Sequence, residues 1–220
     1  MKWRVVVDFH KLNDATIGDS FPIPFISDVL NSLGNSKYFS TVDCASGFWQ
    51  IPVRAEDRPK TAFSTNYGHF EHKSISFGLK GAPATFQCLM STVLSGMQGL
   101  KCLVYLYDII VFGETLQVHS DKLRDVVARL RMHDLKLQPY KCEFLRKEVT
   151  YLGHKLTTQR LLPDSDKVKA VKEFPTPINT HQLKGFLGLC GYYRRFIPYF
   201  SKVAKPLTEL LRKNTPGDAN

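Results

Sequence analysis

Residues 102–112 read CLVYLYDIIVF. Two apolar runs are broken there by a single carboxylate, Asp108. The stretch is too apolar for a solvated loop and too short for a long helix. It predicts a tight hairpin buried between layers, with Asp108 at or near the turn. Upstream, residues 37–43 (KYFSTVD) predict a strand over 38–42 that ends on a second carboxylate, Asp43. A carboxylate beside so much apolar surface is costly unless it is paired or holds a metal. If the two strands are neighbours, both carboxylates meet at one edge of the sheet. There they could share a hard, oxygen-preferring cation such as Mg²⁺. The alternative is that each caps its own strand or pairs separately with a lysine.

Working outward, residues 3–9 (WRVVVDF) are β-branched and predict a strand, and residues 21–24 (FPIP) predict an extended connector. Ile26, Val29, Leu30 and Leu33 fall at i, i+3, i+4 and i+7, with Gly34 as a stop, which predicts a short amphipathic helix. Residues 48–53 predict another strand. Residues 61–64 and 69–74 predict a hairpin around Asn66, Tyr67 and Gly68. Gly81-Ala82-Pro83 places a proline where a helix starts. The stripe Phe86, Leu89, Met90, Val93 and Leu94 continues that helix to Gly96. After the buried hairpin, Leu123, Val126, Val127 and Leu130 mark a helix expected from near Ser120. Residues 143–156 predict two short strands. Beyond Pro163 the chain turns helical and basic, with Leu183, Phe186, Leu187 and Cys190 on one face. This alternation implies an α/β or α+β sheet domain with a small helical region behind it. The composition shift over 157–163 sets the expected boundary, giving domains 1–156 and 157–220.

The chain has 220 residues, 43% hydrophobic and 12% aromatic, enough for one large core or two small ones and too apolar for a disordered chain. No apolar run reaches the ~18 residues of a membrane span, so no membrane partner is expected. Asp8 and His10 interrupt the only apolar stretch near the start, which excludes a secretory signal. The five cysteines, at 44, 88, 102, 142 and 190, are odd in number and show no C-x-x-C spacing. That disfavours a disulfide framework or a zinc site and favours a reducing, intracellular compartment. The net charge of +10 is uneven: residues 1–140 carry +2 and residues 141–220 carry +8. A basic C-terminal third suggests a polyanion partner contacted mainly there, the alternative being a solubilising surface.

Three strings in order, 39–51 (FSTVDCASGFWQI), 77–87 (FGLKGAPATFQ) and 104–112 (VYLYDIIVF), resemble the polymerase motifs of reverse transcriptases. Residues 3–9, 141–144 (KCEF), 151–154 (YLGH) and 188–197 (GLCGYYRRFI) fit the same family. The chain is identified as similar to the reverse transcriptase domain of gypsy-type LTR retrotransposon Pol polyproteins, over nearly all of residues 2–213. The resemblance implies an α+β fold: a polymerase palm with partial fingers, its antiparallel sheet packed on helices, then a small helical thumb or connection region. It implies RNA-directed DNA polymerisation on an RNA or DNA template with a primer, using deoxynucleoside triphosphates. It also implies two Mg²⁺ ions, for which Mn²⁺ could substitute, and residence in a cytoplasmic particle or the nucleus.

Residue roles follow from the resemblance position by position. Asp43 and Asp108 match two of the family's three metal-binding aspartates. The third is missing: the family reads Tyr-x-Asp-Asp, and here Tyr105-Leu106 is followed by Tyr107 and Asp108. A phenol is a poor Mg²⁺ ligand and bulkier than Asp, so polymerisation is expected to be weak or absent. The amides of Cys44, Ala45, Ser46 and Gly47 are expected to meet the triphosphate. Phe48 is expected to lie under the sugar of the incoming nucleotide and select deoxyribose. Arg4 resembles a fingers arginine that clamps phosphates. Phe77 and Gly78 resemble the stretch lying against the nascent base pair. Lys141 resembles a lysine that protonates the leaving pyrophosphate. Leu152, Gly153 and His154 resemble the turn that holds the primer end. Arg194 and Arg195, beside Tyr192 and Tyr193, are expected to grip duplex phosphates.

Two departures complete the expectations. The chain begins at Met1-Lys2-Trp3, inside the family's fingers, which predicts unpaired strand edges and a truncated copy. It ends before a ribonuclease H domain would begin. The competing readings are an impaired polymerase domain, a nucleic-acid-binding remnant or domesticated fragment without chemistry, and a fragment that only folds.

Overall fold

The computed structural model describes residues 6–34, 36–159 and 161–212. The chain divides into two compact units, Met1–Val149 and Thr150–Asn220. The division falls ahead of the composition shift over 157–163, so the 151–154 segment packs with the C-terminal unit.

The first unit is built on a four-stranded sheet of order β4-β5-β1-β6, with β1 Tyr38–Asp43, β4 Cys102–Tyr105, β5 Asp108–Gly113 and β6 Glu143–Arg146. The pairings of β1 with β5, of β1 with β6 and of β4 with β5 are antiparallel. Two helices, α3 (Ala82–Val93) and α4 (Leu116–Met132), pack against this sheet. Phe86, Met90, Val93 and Leu94 from the α3 region and Val126 and Leu130 from α4 bury themselves with Val42, Val104, Ile109 and Val111. Ile110 and Phe112 point the other way by the two-residue period of a strand, and they are buried as well. A strand covered on both faces reads as an unbroken apolar run, which is why residues 109–112 do. The α+β fold with an antiparallel sheet on helices is therefore as expected, and so is the hairpin at residues 102–112.

The helix expected from Ile26 is α2, Ile26–Asn31, with Gly34 at φ 52° closing it. The 61–74 hairpin is present in shorter form, β2 Phe63–Thr65 paired with β3 Gly68–Phe70.

Four expectations are corrected. Of the strand expected over 3–9, residues 3–5 lie outside the described residues. Residues 6–9 form no strand and lead into an unforeseen helix, α1 (His10–Ala15). Asn13 on α1 donates from Nδ2 to Gly78 O (2.8 Å) and accepts from Lys80 N (2.8 Å), so long-range polar contacts fix this segment. Residues 48–53 are not a strand. Gly47–Gln50 is a 3-10 turn, and Pro52 makes only a single bridge to Ser74. Ser46 sits at φ 50°, and Gln50 Nε2 donates to Ala45 O (2.7 Å) and Lys136 O (3.0 Å), which curls the chain and drives Phe48 inward. Ring packing outweighs β-propensity here. Helix α4 starts at Leu116, before Ser120, because the Thr115 hydroxyl accepts from Val118 N at 3.2 Å. Finally, residues 143–156 hold three strands or parts of strands. β6 joins β1, where Ser40 Oγ accepts from Leu145 N at 3.0 Å. β7 (Glu148–Tyr151) and β8 (His154–Thr157) belong to a separate sheet of order β7-β8-β9 with β9, Leu161–Pro163.

The second unit adds helices α5 (Ser165–Lys172), α6 (Thr180–Tyr192) and α7 (Phe200–Glu209). On α6, Leu183 and Cys190 of the expected apolar face are buried. Among the described residues no helix is long and apolar enough to cross a membrane.

Candidate active site

The carboxylate ending β1 and the one opening β5 are partners in the ladder. The register runs from Tyr38↔Gly113 through Val42↔Ile109 to Asp43↔Asp108. The other side of Asp108 is fixed by the two-residue turn Leu106–Tyr107, which sets Tyr105 opposite Asp108. Leu106 takes φ 54°, a left-handed conformation that disfavours any residue with a Cβ. Gln87, buried on α3, supports it: Oε1 accepts from Leu106 N at 2.8 Å. Tyr107 O accepts from Cys44 N at 3.1 Å, which ties the turn to the residue after Asp43.

Lys141 ends a 3-10 turn, Pro139–Lys141, that precedes β6. Its Nζ donates to Asp43 Oδ2 at 3.3 Å. The Asp43 side chain is only 14% exposed, while the lysine lies largely in solvent. Gln138 N donates to Asp43 O at 2.9 Å, which holds the lysine's turn against the strand end. Burial, and next the charge of Asp43, push the Asp108 carboxyl up to about 6, with Lys141 pulling the other way. Two crowded carboxylates of this kind are what a divalent cation neutralises.

Tyr107 stands where the resemblance places a third aspartate. Its ring meets Phe48 edge-on at 6.1 Å, and its Cβ lies 3.2 Å from where a Cβ on Gly47 would be. It is packed against the apolar cluster of the sheet and α3. Among the described residues no group of three or more His, Cys, Asp and Glu side chains could hold a metal ion. Asp43 and Asp108 thus supply a two-carboxylate set that fits a hard cation with an incomplete shell.

Of the nucleotide-side candidates, Cys44 to Phe48 follow Asp43 directly in the chain, and Phe77 packs on Phe48. Cys44, Ala45, Ser46 and Gly47 form the turn after Asp43. One expectation is narrowed: Cys44 N donates to Tyr107 O, and Ala45 N donates to Lys136 O at 2.8 Å. Both amides are engaged within the protein, so the turn's offer to a triphosphate reduces to Ser46 and Gly47. Burial pushes the Cys44 thiol up to about 12, with the charge of Asp43 adding to it, so it is no nucleophile. Phe48 is 8% exposed and packs against Phe77 (5.3 Å between centroids) and Phe86 (5.9 Å). Gly78 takes φ 93°, which a glycine tolerates. Arg4 lies outside the described residues.

Leu152, Gly153 and His154 lie in the second unit, at the turn between β7 and β8. Arg194 and Arg195 open a 3-10 turn, Arg194–Phe196, in the same unit and are exposed. The His154 ring lies 5.7 Å from the Phe196 ring, and the Arg195 guanidinium lies 5.6 Å from that same ring. Burial holds the His154 imidazole below its usual range. The sequence reading missed Gln87 and Gln50. Each is a polar residue whose amide meets the backbone of a turn distant in sequence, a role that no local spacing signals.

Residues 1–156 match the reverse transcriptase (RNA-dependent DNA polymerase) family. The chain belongs to that family. It is 46% identical over 217 residues to the retrovirus-related Pol polyprotein from transposon 297 of Drosophila melanogaster, covering 99% of this chain and 20% of that protein. The corresponding polyprotein from transposon opus of the same fly is 47% identical over 211 residues, covering 96% of this chain and 21% of that protein. The chain therefore spans about a fifth of the length of these relatives. Among solved structures, the foamy viral protease–reverse transcriptase in complex with double-stranded DNA superposes with a TM-score of 0.89 at 28% identity, covering 97% of this chain and 38% of that one. The same viral protein in complex with an RNA/DNA hybrid gives 0.84 at 28% identity, covering 97% of this chain and 29% of that one. The reverse transcriptase match spans the whole Asp43–Asp108 ladder and the turn bearing Tyr107.

Proposed function

We propose that this chain is an RNA-directed DNA polymerase domain of a retrotransposon Pol polyprotein whose chemistry is impaired by Tyr107. The observation that carries it is the Asp43↔Asp108 rung at the end of the β1–β5 ladder. The solved relatives seen with double-stranded DNA and with an RNA/DNA hybrid support a nucleic acid partner, which in this reading is a primed RNA or DNA template extended with deoxynucleoside triphosphates.

Asp43 and Asp108 would hold Mg²⁺, or Mn²⁺ in its place. Bound there, such ions supply activation of the primer hydroxyl and charge neutralisation at the triphosphate. The protein's own residues do the positioning. Gln87 and the Cys44 amide hold the Leu106–Tyr107 turn, and so the place of Asp108. The Ser46 and Gly47 amides face the phosphates. Phe48, locked between Phe77 and Phe86, presents a rigid ring to the sugar and excludes a 2′-hydroxyl. Lys141, an exposed ammonium against Asp43, delivers a proton to the departing pyrophosphate. Arg4 clamps phosphate, Phe77 and Gly78 face the new base pair, the Leu152–His154 turn presents the primer end, and Arg194 and Arg195 contact the duplex backbone. The first domain, 1–156, acts as palm and partial fingers, and residues 157–220 act as the thumb or connection.

Tyr107 removes one of three carboxylates. If the lost ligand costs about 4 kcal/mol of transition-state stabilisation, the rate falls roughly a thousandfold. The test is primer extension on a primed RNA template by the chain and by Tyr107→Asp, in Mg²⁺ and in Mn²⁺. The expected result is a gain near a thousandfold for the variant. Equal rates would overturn the impairment, and no extension by either protein would remove the polymerase reading.

A second reading, a nucleic-acid-binding remnant without chemistry, is favoured by the absence of a three-donor metal group among the described residues. It predicts salt-sensitive binding to a primed hybrid with no extension by either protein.

A further inference from the structure

The turn between β7 and β8 is more tightly held than a two-residue connection requires. Leu152 sits at φ 48° and Gly153 at φ 69°. A leucine in the left-handed region is strained, and such strain persists only where the surroundings over-determine it. Here they do. Leu152 O accepts from Tyr192 Oη at 2.7 Å and is bonded to His154 Nδ1 at 2.7 Å. Gly153 O accepts from Tyr193 Oη at 3.2 Å and from Asp164 N at 3.2 Å. Both carbonyls of the turn are thus doubly engaged, by groups from β8, from the start of α5 and from the end of α6.

The two tyrosines are consecutive, and α6 ends between them: Tyr192 is its last residue and Tyr193 its cap. Their rings meet edge-on at 4.8 Å, and each packs on the buried His154 ring, at 5.4 and 5.6 Å. A Cβ on Gly153 would stand 2.9 Å from the Tyr193 hydroxyl, so the approach is close enough to demand glycine. Tyr193 is buried, and a stable sheet does not by itself need a strained turn with four donors on it.

We infer that Tyr192 and Tyr193 are positioning residues: their hydroxyls hold the Leu152–Gly153 turn in the one conformation that presents the primer 3′ end. The inference deepens the polymerase reading and rests on it. It assigns the two tyrosines to turn geometry and leaves phosphate contact to the neighbouring arginines. Deleting the hydroxyls should therefore change where the terminal primer nucleotide sits and not how tightly the duplex binds.

The experiment uses the full chain and a primed template carrying 2-aminopurine at the primer 3′ terminus. Tyr192→Phe, Tyr193→Phe and the double variant keep the rings and remove only the hydroxyls. Duplex affinity is read by anisotropy, terminal placement by 2-aminopurine fluorescence, and folding by thermal melting. The expected result is that the double variant keeps duplex affinity within about twofold and loses at least half of the fluorescence change. The same double substitution in the Tyr107→Asp background should lower kcat about tenfold with little change in the nucleotide KM. A normal fluorescence change and a normal kcat in the double variant overturn the inference while the polymerase reading stands. Parallel loss of affinity and terminal signal also overturns it, since the hydroxyls would then serve binding in general. A parent chain that fails to bind the primed template removes the polymerase reading itself.

Discussion

Lys141 Nζ lies 3.3 Å from Oδ2 of Asp43, an ion pair between residues 98 positions apart in the chain. The lysine is mostly exposed and the carboxylate mostly buried, so the ammonium sits at the mouth of the two-carboxylate site. Lys141→Met, made in the Tyr107→Asp background, should lower kcat by about 10²-fold or more, the usual loss of a general acid. Single-turnover primer extension measures it. Losing the ion partner of a mostly buried carboxylate should also lower the melting temperature, so extension is compared well below the transition.

Gln87 is the support of the Leu106–Tyr107 turn, and its side-chain amide is buried. Gln87→Met keeps the length of the side chain and removes the acceptor. The Leu106 amide is then left without its partner in a strained turn. The expected cost is about 1–3 kcal/mol in urea unfolding, with a matching loss of extension by the Tyr107→Asp chain.

Gly113 ends β5 directly beneath the first turn of α4. A Cβ there would lie 2.9 Å from N, Cα and Cβ of His119. Backbone atoms cannot yield as a side-chain tip can, so α4 must move away from the sheet. Gly113→Ala should destabilise the chain by about 1–3 kcal/mol, read from the urea midpoint.

His119 is fully buried, and among the described residues its ring nitrogens have no well-formed hydrogen bond, only an approach by the Val111 backbone. Burial holds its imidazole below the ordinary 6.5. The unfolded chain therefore takes up this proton more readily than the folded one. Stability from the neutral ring is complete above about pH 6.5 and is lost as the pH falls below it. His119 should contribute a loss of melting temperature between pH 7.5 and 5.5, with His154 adding to it and Asp108, raised to about 6, opposing it, and His119→Leu should remove the His119 share. An equal drop in the variant would place the acid sensitivity elsewhere.

Much of this architecture is legible in the residues because the apolar pattern has few solutions. A run such as 109–112 must be covered on both faces, and a turn must fall where Asp108 interrupts it. That Asp43 and Asp108 meet stayed conditional on their strands being neighbours, a condition the β1–β5 pairing supplies. The 48–53 segment misled because its β-branched and aromatic residues fit a strand locally, whereas Ser46 and Gln50 fold it into a curl that buries Phe48. Helix α1 was hidden because Asn13 is fixed by Gly78 and Lys80, which are distant in sequence. The same reason hid Gln87 and the hydroxyl roles of Tyr192 and Tyr193. Each acts on a carbonyl or amide whose position exists only after folding.

The Asp43↔Asp108 rung is kept in place by interior packing along β1 and β5. Slipping β5 by one residue would turn Ile109 and Val111 out of the interior, so the alignment is protected by the same forces that keep the domain folded. Any pressure that keeps the domain folded therefore also keeps these two carboxylates side by side. Tyrosine and aspartate codons differ by one base, so a single substitution at 107 would set a third carboxylate beside a rung that the fold already holds.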